Sequence, residues 1–262
     1  MRRIGLLGGT SWESTVDYYR LLNAGTRDRL GGSHSADLVL RSADFAEIES
    51  LQAVDDWTSL GRRYAREAVT LVEAGAEVLG ICANTMHLLY EDVATAGAPV
   101  VHLVDAVADV AQAAGFSRVG LLGTRYTMAS QELYPARFAG RGIDVVVPEA
   151  EDAAEVHRII YAELVRGEVL EPSRAALDAI VGRLTDRGVQ AVILGCTELG
   201  MILAPERSPV PLLDSLAIHV EALLDAALGP SAAPTSADPS DQSDPSDPSD
   251  RSTQPALEEG AA

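Results

Sequence analysis

The 262-residue chain contains no lysine, and all 20 of its basic residues are arginine. A pyridoxal phosphate enzyme needs a lysine for its internal Schiff base, and a Walker-type loop needs one for its phosphates, so both classes are excluded. Cysteine is nearly absent as well, with only Cys82 and Cys196. Two cysteines give neither a disulfide framework nor a zinc site of the Cys-x-x-Cys kind, so we expect a reduced, cytoplasmic setting.

Long apolar runs and positive charge are also missing. No apolar stretch reaches the roughly 18 residues of a membrane span, and the run Ile4–Leu7 is too short for a signal peptide. The 39 acidic residues outnumber the basic ones and give a formal net charge of −19. Such a chain repels phosphate backbones and anionic lipid, so we expect no nucleic acid or membrane partner, whereas a small-molecule ligand stays open.

Two common kinds of cofactor site lack their signatures. Gly5, Gly8 and Gly9 belong to the first apolar run and the turn after it, but they do not have the Gly-x-Gly-x-x-Gly spacing of a dinucleotide site. The five histidines and two cysteines form no cluster of metal ligands along the sequence. We therefore expect neither a nicotinamide cofactor nor a metal.

The composition changes at the C-terminal end of the chain. Residues 230–262 consist mainly of Pro, Ser, Asp, Ala and Thr, and Leu257 is their one large apolar residue. Such a segment cannot bury enough apolar surface to offset the entropy lost on ordering. It is predicted to be a disordered acidic tail, which either keeps the protein soluble or binds a partner.

Residues 1–229 alternate short apolar runs with longer amphipathic stretches, a pattern typical of strand–helix–strand units and parallel sheets. The predicted strands are Ile4–Leu7, Asp37–Arg41, Val78–Cys82, Val100–Val104, Val119–Leu122, Asp144–Pro148, Ala191–Leu194 and Val210–Leu213. The predicted helices are Ser14–Leu30, Trp57–Glu73, Asp105–Ala114, Ser130–Gly140, Asp152–Val165, Ser173–Asp186 and Ser215–Leu228. The expected fold class is α/β.

Two glycine-rich segments recur in the same order in each half of this region. The stretch Arg3–Gly8 matches Arg118–Gly123, and Gly75–Thr85 matches Gly188–Glu198. The repeat predicts two related α/β lobes.

The predicted N-terminal lobe covers residues 1–104, and a C-terminal helix at about 210–228 packs back on it. The second lobe is predicted over residues 105–209. Asp105 and Asp214 each follow a predicted strand and are expected to be N-caps of the next helix.

Small polar side chains follow the strand ends of both halves. Ligands of parallel α/β sheets bind beyond the carboxyl ends of the strands, so the cleft between the lobes is the predicted site. Hydroxyls and backbone N–H groups at helix N-termini there would hold a carboxylate. The candidate binding residues are Thr10, Ser11, Asn84, Thr85, Thr124, Thr127 and Thr197, with Trp12 and Tyr126 as candidate walls and Arg41 and Arg166 as candidate partners of a distal carboxylate.

Cys196 is the candidate catalytic residue. It follows an apolar strand where a thiol would face the cleft at a helix N-terminus, a setting that favours thiolate. The alternative is a buried apolar cysteine. Glu198, two residues further on, could relay or accept protons, but a carboxylate so near also disfavours the thiolate by like charge, and the sequence leaves the net effect open.

Several motifs together resemble the cofactor-independent aspartate/glutamate racemases, and most of all their broad-specificity amino acid racemase branch. The motifs are Ile4–Ser14, Asn84–His87, Leu121–Met128, Gly195–Glu198 and Asp214 with Ala217–His219. The resemblance implies two Rossmann-like lobes, a homodimer, and a site at the lobe interface for an amino acid or dicarboxylate. It also implies proton removal from Cα by one thiol and proton return by a second, opposed thiol.

The first thiol of that mechanism is missing. In the family it directly precedes an Asn-Thr pair, whereas here that position is Ala83 and Cys82 lies one residue earlier. The internal repeat agrees, because it aligns Cys196 with Ala83 and Cys82 with Gly195. Successive strand residues point to opposite faces, so we expect Cys82 to point away from the cleft.

One thiol opposite an alanine leaves three functions open. The first and favoured one is amino acid racemisation, with Cys196 as acid/base and a water or hydroxyl opposite it. The second is decarboxylation of a malonate-like diacid, in which the thiol only donates a proton. The third is a catalytically degenerate protein that binds acidic metabolites.

Overall fold

Two parallel β-sheets form the framework of the protein. The structure, a computed structural model, describes residues 1–230. The strands of the first sheet are β1 (Ile4–Gly8), β2 (Leu38–Ser42), β3 (Val78–Ile81) and β4 (Val100–Val101), and those of the second are β5 (Arg118–Gly123), β6 (Asp144–Val146), β7 (Ala191–Gly195) and β8 (Leu212–Asp214).

The two sheets have the same strand order. It is β2-β1-β3-β4 in the first sheet and β6-β5-β7-β8 in the second, and all neighbours run parallel. Strands β1, β3 and β7 are buried along their whole length, which explains their uninterrupted apolar sequences. The predicted α/β fold with two pseudo-symmetric lobes is confirmed.

Helices surround both sheets. The α-helices are α1 (Trp12–Leu30), α2 (Phe45–Ala53), α3 (Trp57–Glu73), α4 (Tyr90–Ala94), α5 (Leu103–Ala113), α6 (Arg125–Ala129), α7 (Pro135–Ala139), α8 (Ala150–Ala162), α9 (Glu171–Asp186) and α10 (Ser215–Leu228). Short 3₁₀ helices cover Thr85–Leu89, Leu164–Arg166, Thr197–Met201 and Pro205–Arg207. Of the helices in the described part of the chain, none is long and apolar enough to cross a membrane.

The last strand and helix connect the two sheets. Strand β8 pairs with β7 in the second sheet, and α10 then packs against α1 and α5. The described residues 1–230 belong to one compact unit, so the lobe boundaries at residues 104 and 209 stay predictions. The predicted tail lies outside the described residues, apart from Pro230.

The turn from β1 into α1 requires glycine at position 9. Gly9 has a φ of 89°, and a Cβ there would collide with the backbone of Ala43. The Gly9 N–H donates to Thr15 Oγ1 at 2.8 Å, which ties the turn to the first part of α1. This geometry places Thr10 and Ser11 at the carboxyl end of β1.

One of the two predicted helix caps is wrong. Helix α5 begins two residues before Asp105, and its N-cap is His102, whose Nδ1 accepts a hydrogen bond from the Val104 N–H at 3.2 Å. Asp105 lies in the first turn instead, where its carboxylate pairs with Arg137. Asp214 does cap α10, because its carboxylate accepts hydrogen bonds from backbone N–H groups of the first turn.

Several predicted elements differ in extent. The strand predicted over Val100–Val104 shortens to two residues because α5 begins at once. The helix predicted over Ser130–Gly140 shortens to α7, and α6 ends before it at Ala129. Pro135 begins α7, since proline is tolerated in a first turn but not inside a helix. Helix α2 is not predicted from the sequence, because it is short and only weakly amphipathic.

Candidate active site

A narrow cavity lies between the carboxyl ends of the two sheets, at the place expected for a parallel α/β protein. Its volume is about 30 Å³, enough for a water molecule or two. The lining residues are Thr10, Ser11, Phe45, Gln52, Ala83, Asn84, Thr85, Thr124, Ile160, Tyr161, Val165, Gly195, Cys196, Thr197 and Glu198.

The two cysteines have different environments. Cys196 follows β7 and lines the cavity, and its repeat equivalent Ala83 lines the same cavity. Cys82 is only 1% exposed and belongs to an apolar cluster with Leu6 and Tyr18. At Gly195, the repeat equivalent of Cys82, an added Cβ would collide with Leu121 and with the Leu122 carbonyl oxygen of the neighbouring strand β5. Cys82 is therefore a core residue in this structure.

Glu198 is hydrogen bonded to the Cys196 thiol. The Cys196 S–H donates to Glu198 Oε2 at 2.9 Å, and the Thr197 hydroxyl donates to the same oxygen at 2.9 Å. The hydroxyls of Ser11 and Ser14 donate to Glu198 Oε1 at 2.7 and 3.2 Å. Two donors thus come from the β7 end and two from the start of α1, so the carboxylate joins the two lobes.

The Cys196 thiol is held in its protonated form. Burial raises its pKa well above the usual value, and the charge of Glu198 and the hydrogen bond to it raise the pKa further. Backbone hydrogen bonds from Thr197 and Glu198 act in the opposite direction but do not reverse the shift. The shift is opposite in direction to the one expected from a helix N-terminus alone, because the sulfur is buried and the 3₁₀ helix Thr197–Met201 brings a carboxylate to it.

Three threonine hydroxyls from both lobes meet beside the cavity. Thr85 Oγ1 lies 2.9 Å from both Thr124 Oγ1 and Thr127 Oγ1, and the latter two oxygens are 3.2 Å apart. Thr85 and Thr124 line the cavity, whereas Thr127 is fully buried behind them. The two lining hydroxyls can turn their O–H groups toward a bound carboxylate while Thr127 holds them in place.

Asn84 is fixed by two residues that the sequence did not single out. The Tyr134 hydroxyl donates to Asn84 Oδ1 at 2.5 Å, and Asn84 Nδ2 donates to Ser215 Oγ at 2.9 Å. The Ser215 hydroxyl in turn donates to the Leu194 carbonyl at 2.6 Å. One amide N–H of Asn84 is left for a ligand. Tyr134 lies outside all the motifs, six residues after Leu121–Met128, so no sequence signal pointed to it.

The remaining wall of the cavity comes from segments without a recognisable motif. Phe45 and Gln52 belong to α2, Ile160 and Tyr161 to α8, and Val165 to the 3₁₀ helix that follows. The Tyr161 hydroxyl donates to Gln52 Oε1 at 3.1 Å and closes this side of the cleft.

Trp12 and Tyr126 do not line the cavity. The Trp12 side chain is 59% exposed, because it lies on the outer side of α1, whereas Ser14 lies on the buried side. Tyr126 packs edge-on against Trp57 and donates its hydroxyl to the Gln52 carbonyl at 3.2 Å, so it supports the cavity wall from behind.

The other predicted polar residues are accounted for. Thr10 lines the cavity, and its hydroxyl lies 3.0 Å from the Tyr64 hydroxyl. Arg41 forms an ion pair with Glu67, and Arg166 is exposed, so neither lines the cavity. Across residues 1–230, no group of three or more His, Cys, Asp or Glu side chains is arranged to hold a metal ion.

A sequence model of the Asp/Glu/Hydantoin racemase family matches residues 7–223. Among solved structures, a candidate Asp/Glu racemase from Yersinia pestis is similar, with a TM-score of 0.81, 43% identity, and coverage of 87% of this chain and 100% of that one. An aspartate racemase homologue from Pyrococcus horikoshii OT3 is also similar, with a TM-score of 0.75, 34% identity, and coverage of 87% and 99%. The chain therefore belongs to the Asp/Glu/Hydantoin racemase family.

Proposed function

We propose that the protein is a cofactor-independent amino acid racemase in which Cys196 exchanges the Cα proton of the substrate. The observation that supports this most directly is the hydrogen bond of 2.9 Å from the Cys196 thiol to Glu198 Oε2 inside the interlobe cavity. A thiol beside a carboxylate that can accept its proton forms an acid/base pair.

The proton moves in two stages on the Cys196 side. The thiol proton passes to Glu198, and the resulting thiolate removes the Cα proton, whose bonding electrons stay on the substrate as an enediolate-like carbanion. Hydrogen bonds from Thr85, Thr124 and the free Asn84 N–H to the substrate carboxylate stabilise that charge. These donors are already held in place, so no reorganisation is needed as charge develops.

The opposite face of the carbanion lies toward Ala83, which has no proton to give. Inversion therefore requires a proton from a water molecule or a hydroxyl on that side. The two faces of the carbanion therefore have different acids: the Cys196 thiol on one face, and a water molecule or a hydroxyl on the other.

Decarboxylation of a malonate-like diacid is the second candidate function. The raised pKa of Cys196 and the absence of a thiol at position 83 favour it, since this reaction needs one proton donor and no base. The C–C bond to the leaving carboxylate breaks, carbon dioxide departs, the electron pair stays on the α carbon, and the thiol proton moves to that carbon. Water then returns a proton to the sulfur.

Cα proton exchange separates these functions. Wild-type protein is incubated with a panel of amino acids in deuterium oxide, and proton NMR and chiral analysis follow the Cα signal. Racemisation requires Cα exchange with inversion. The rate of this exchange should fall by at least about 1,000-fold in Cys196→Ser and stay unchanged in the matched variant Cys82→Ser.

The other outcomes each identify a different function. Carbon dioxide release from a malonate-like diacid with no exchange in the panel would establish the decarboxylase. Thermal stabilisation by ligands with neither reaction would leave a binding protein. Equal losses in Cys196→Ser and Cys82→Ser would overturn the assignment of Cys196 as the sole catalytic thiol.

We also propose a cytoplasmic homodimer. Trp12, Val16 and Tyr19 form one face of α1 and are 59, 51 and 56% exposed, an apolar stripe of the kind that marks protein interfaces. Cys82 and Cys196 are free thiols, which suits a reducing compartment. Sedimentation of the wild type should give a dimer that Val16→Glu converts to a monomer, and a monomeric wild type would exclude it.

A further inference from the structure

We infer that the cavity selects amino acids with uncharged side chains, apolar or amide-bearing, and rejects aspartate and glutamate. This inference rests on the proposed function and names its substrate class. It follows from the charges and from the distal wall of the cavity.

The cavity contains no positive charge. Its lining includes Glu198 but no arginine, and the chain has no lysine. The two arginines that the sequence offered as carboxylate partners lie elsewhere. Arg41 Nη2 is 3.0 Å from a Glu67 carboxylate oxygen, and Arg166 is exposed. A side-chain carboxylate would therefore enter the cavity without a cationic partner.

The charge balance of the bound substrate makes this exclusion strong. The α-ammonium and α-carboxylate of an amino acid cancel, and the negative charge of Glu198 remains. A second substrate carboxylate would add another negative charge beside Glu198, and its burial without a cation is heavily penalised. Neutral side chains avoid that penalty.

The distal wall suits an uncharged group. Phe45, Ile160 and Val165 supply apolar surface, and Gln52 is the polar residue among them together with Tyr161. Gln52 Oε1 already accepts from Tyr161, while Gln52 Nε2 contacts the sulfur of Met86 at 3.3 Å, so the amide keeps one N–H that can reach a neutral acceptor. No group of this wall complements a carboxylate charge.

Paired amino acids of similar shape test the inference. Cα exchange in deuterium oxide is measured for glutamine against glutamate and for asparagine against aspartate. We expect kcat/KM to be higher for each amide by at least about 100-fold, because only the acid has to bury an unpaired charge. Equal or faster exchange of the acids would overturn the inference.

Val165 allows the charge to be supplied deliberately. It is half-buried in a short 3₁₀ helix at the cavity, so Val165→Arg can direct a guanidinium inward, and Val165→Met is the matched neutral control. The glutamate-to-glutamine ratio of kcat/KM should rise at least about tenfold in Val165→Arg relative to Val165→Met. Arg166→Gln should leave the ratio unchanged, and a large fall in that variant would mean that Arg166 serves an acidic substrate.

Ligand binding distinguishes failure of this inference from failure of the proposed function. If no amino acid exchanges its Cα proton, the racemase assignment fails, and the rise in Tm with glutamine and with glutamate then decides the selectivity. Stabilisation by glutamine alone supports an uncharged pocket. Stabilisation by glutamate alone, or by both equally, overturns it.

Discussion

Glu198 accepts a hydrogen bond from the very thiol whose ionisation its charge opposes: Glu198 Oε2 lies 2.9 Å from Cys196 Sγ. The carboxylate can take up the thiol proton during catalysis, yet in the unliganded site it helps to raise the pKa of Cys196. With its pKa raised, Cys196 holds its proton and is present as the thiol rather than the thiolate. The substrate's α-ammonium, placed near Glu198, would offset part of the carboxylate charge and so favour the thiolate.

Replacing Glu198 with glutamine should lower the pKa of Cys196. The negative charge that penalises the thiolate is then absent, while the side-chain shape and the contacts to Ser11 and Ser14 are kept. The ultraviolet absorbance of the thiolate, titrated in a Cys82→Ser background, should show a lower midpoint with glutamine than with glutamate at position 198. The wild-type kcat/KM should rise with pH through the alkaline range. In Glu198→Gln the same rise should occur at lower pH. An unchanged midpoint would mean that burial alone raises the pKa.

Replacing Ala83 with cysteine should supply the missing second acid/base group. The new thiol would face the cavity opposite Cys196, so protons could be removed and returned on both faces. Cα exchange with inversion should rise about 100-fold, within the range of general acid–base catalysis. Ala83→Ser is the matched control, because its hydroxyl is a much weaker acid. A folded Ala83→Cys variant without any gain would show that position 83 does not face the reacting carbon.

Replacing Tyr134 with phenylalanine should release the side chain of Asn84. The buried Asn84 Oδ1 would lose its donor, which costs about 1–3 kcal/mol in the free energy of unfolding. The loss should also appear in kcat/KM, about tenfold, since the remaining Asn84 N–H would no longer be aimed at the substrate. Urea unfolding and exchange kinetics measure the two effects. The exposed Tyr19→Phe is the control, and equal behaviour of the two variants would contradict a positioning role for Tyr134.

A buried histidine cluster should make stability depend on pH. Burial lowers the pKa of His87 to about 4, of His102 to about 2 and of His219 to about 3. Below the unfolded value of about 6.5, only the unfolded chain takes up these protons, so the free energy of unfolding falls by about 1.4 kcal/mol per pH unit for each histidine. As the pH falls, the decline starts near pH 6.5, and the contribution of each histidine ends near its folded pKa. Urea unfolding at pH 7, 6 and 5 gives the slope.

His102→Asn tests that dependence at one site. Asparagine keeps an N-cap for α5 and removes one titrating group, together with the His102 Nε2, which has no hydrogen-bond partner within the described residues. The slope of stability against pH should become shallower by about 1.4 kcal/mol per pH unit, the share of one histidine. A slope that does not change in His102→Asn would exclude this histidine as a source.

The repetitive parts of the chain were predictable from sequence because one local rule governs each. Strands β1, β3, β5 and β7 are buried apolar runs in a parallel sheet, so hydrophobicity alone locates them. Strand alternation separated Cys82 from the cleft, and the internal repeat placed Ala83 opposite Cys196. Helix starts were less certain: His102 replaced Asp105 as a cap, since either side chain can accept the same hydrogen bond and backbone geometry decides between them.

The residues missed by the sequence belong to the parts of the site that form through distant contacts. Tyr134 reaches Asn84 from fifty positions away, and Gln52 meets Tyr161 across the cleft. No local pattern records such a pairing, because it depends on how the two lobes face each other. Trp12 is the opposite case: it lies within a family-like motif, yet the helical phase of α1 turns it outward.

The sequence by itself determined which reactive groups the chain carries: thiols at Cys82 and Cys196, an alanine at position 83, no lysine, and two α/β repeats. These are properties of residue type and order. The tertiary structure decided which groups surround Cys196, because burial and charge arise only when the lobes meet. Burial and the Glu198 carboxylate at 2.9 Å raise the pKa of the Cys196 thiol, and the cavity lining contains no cation.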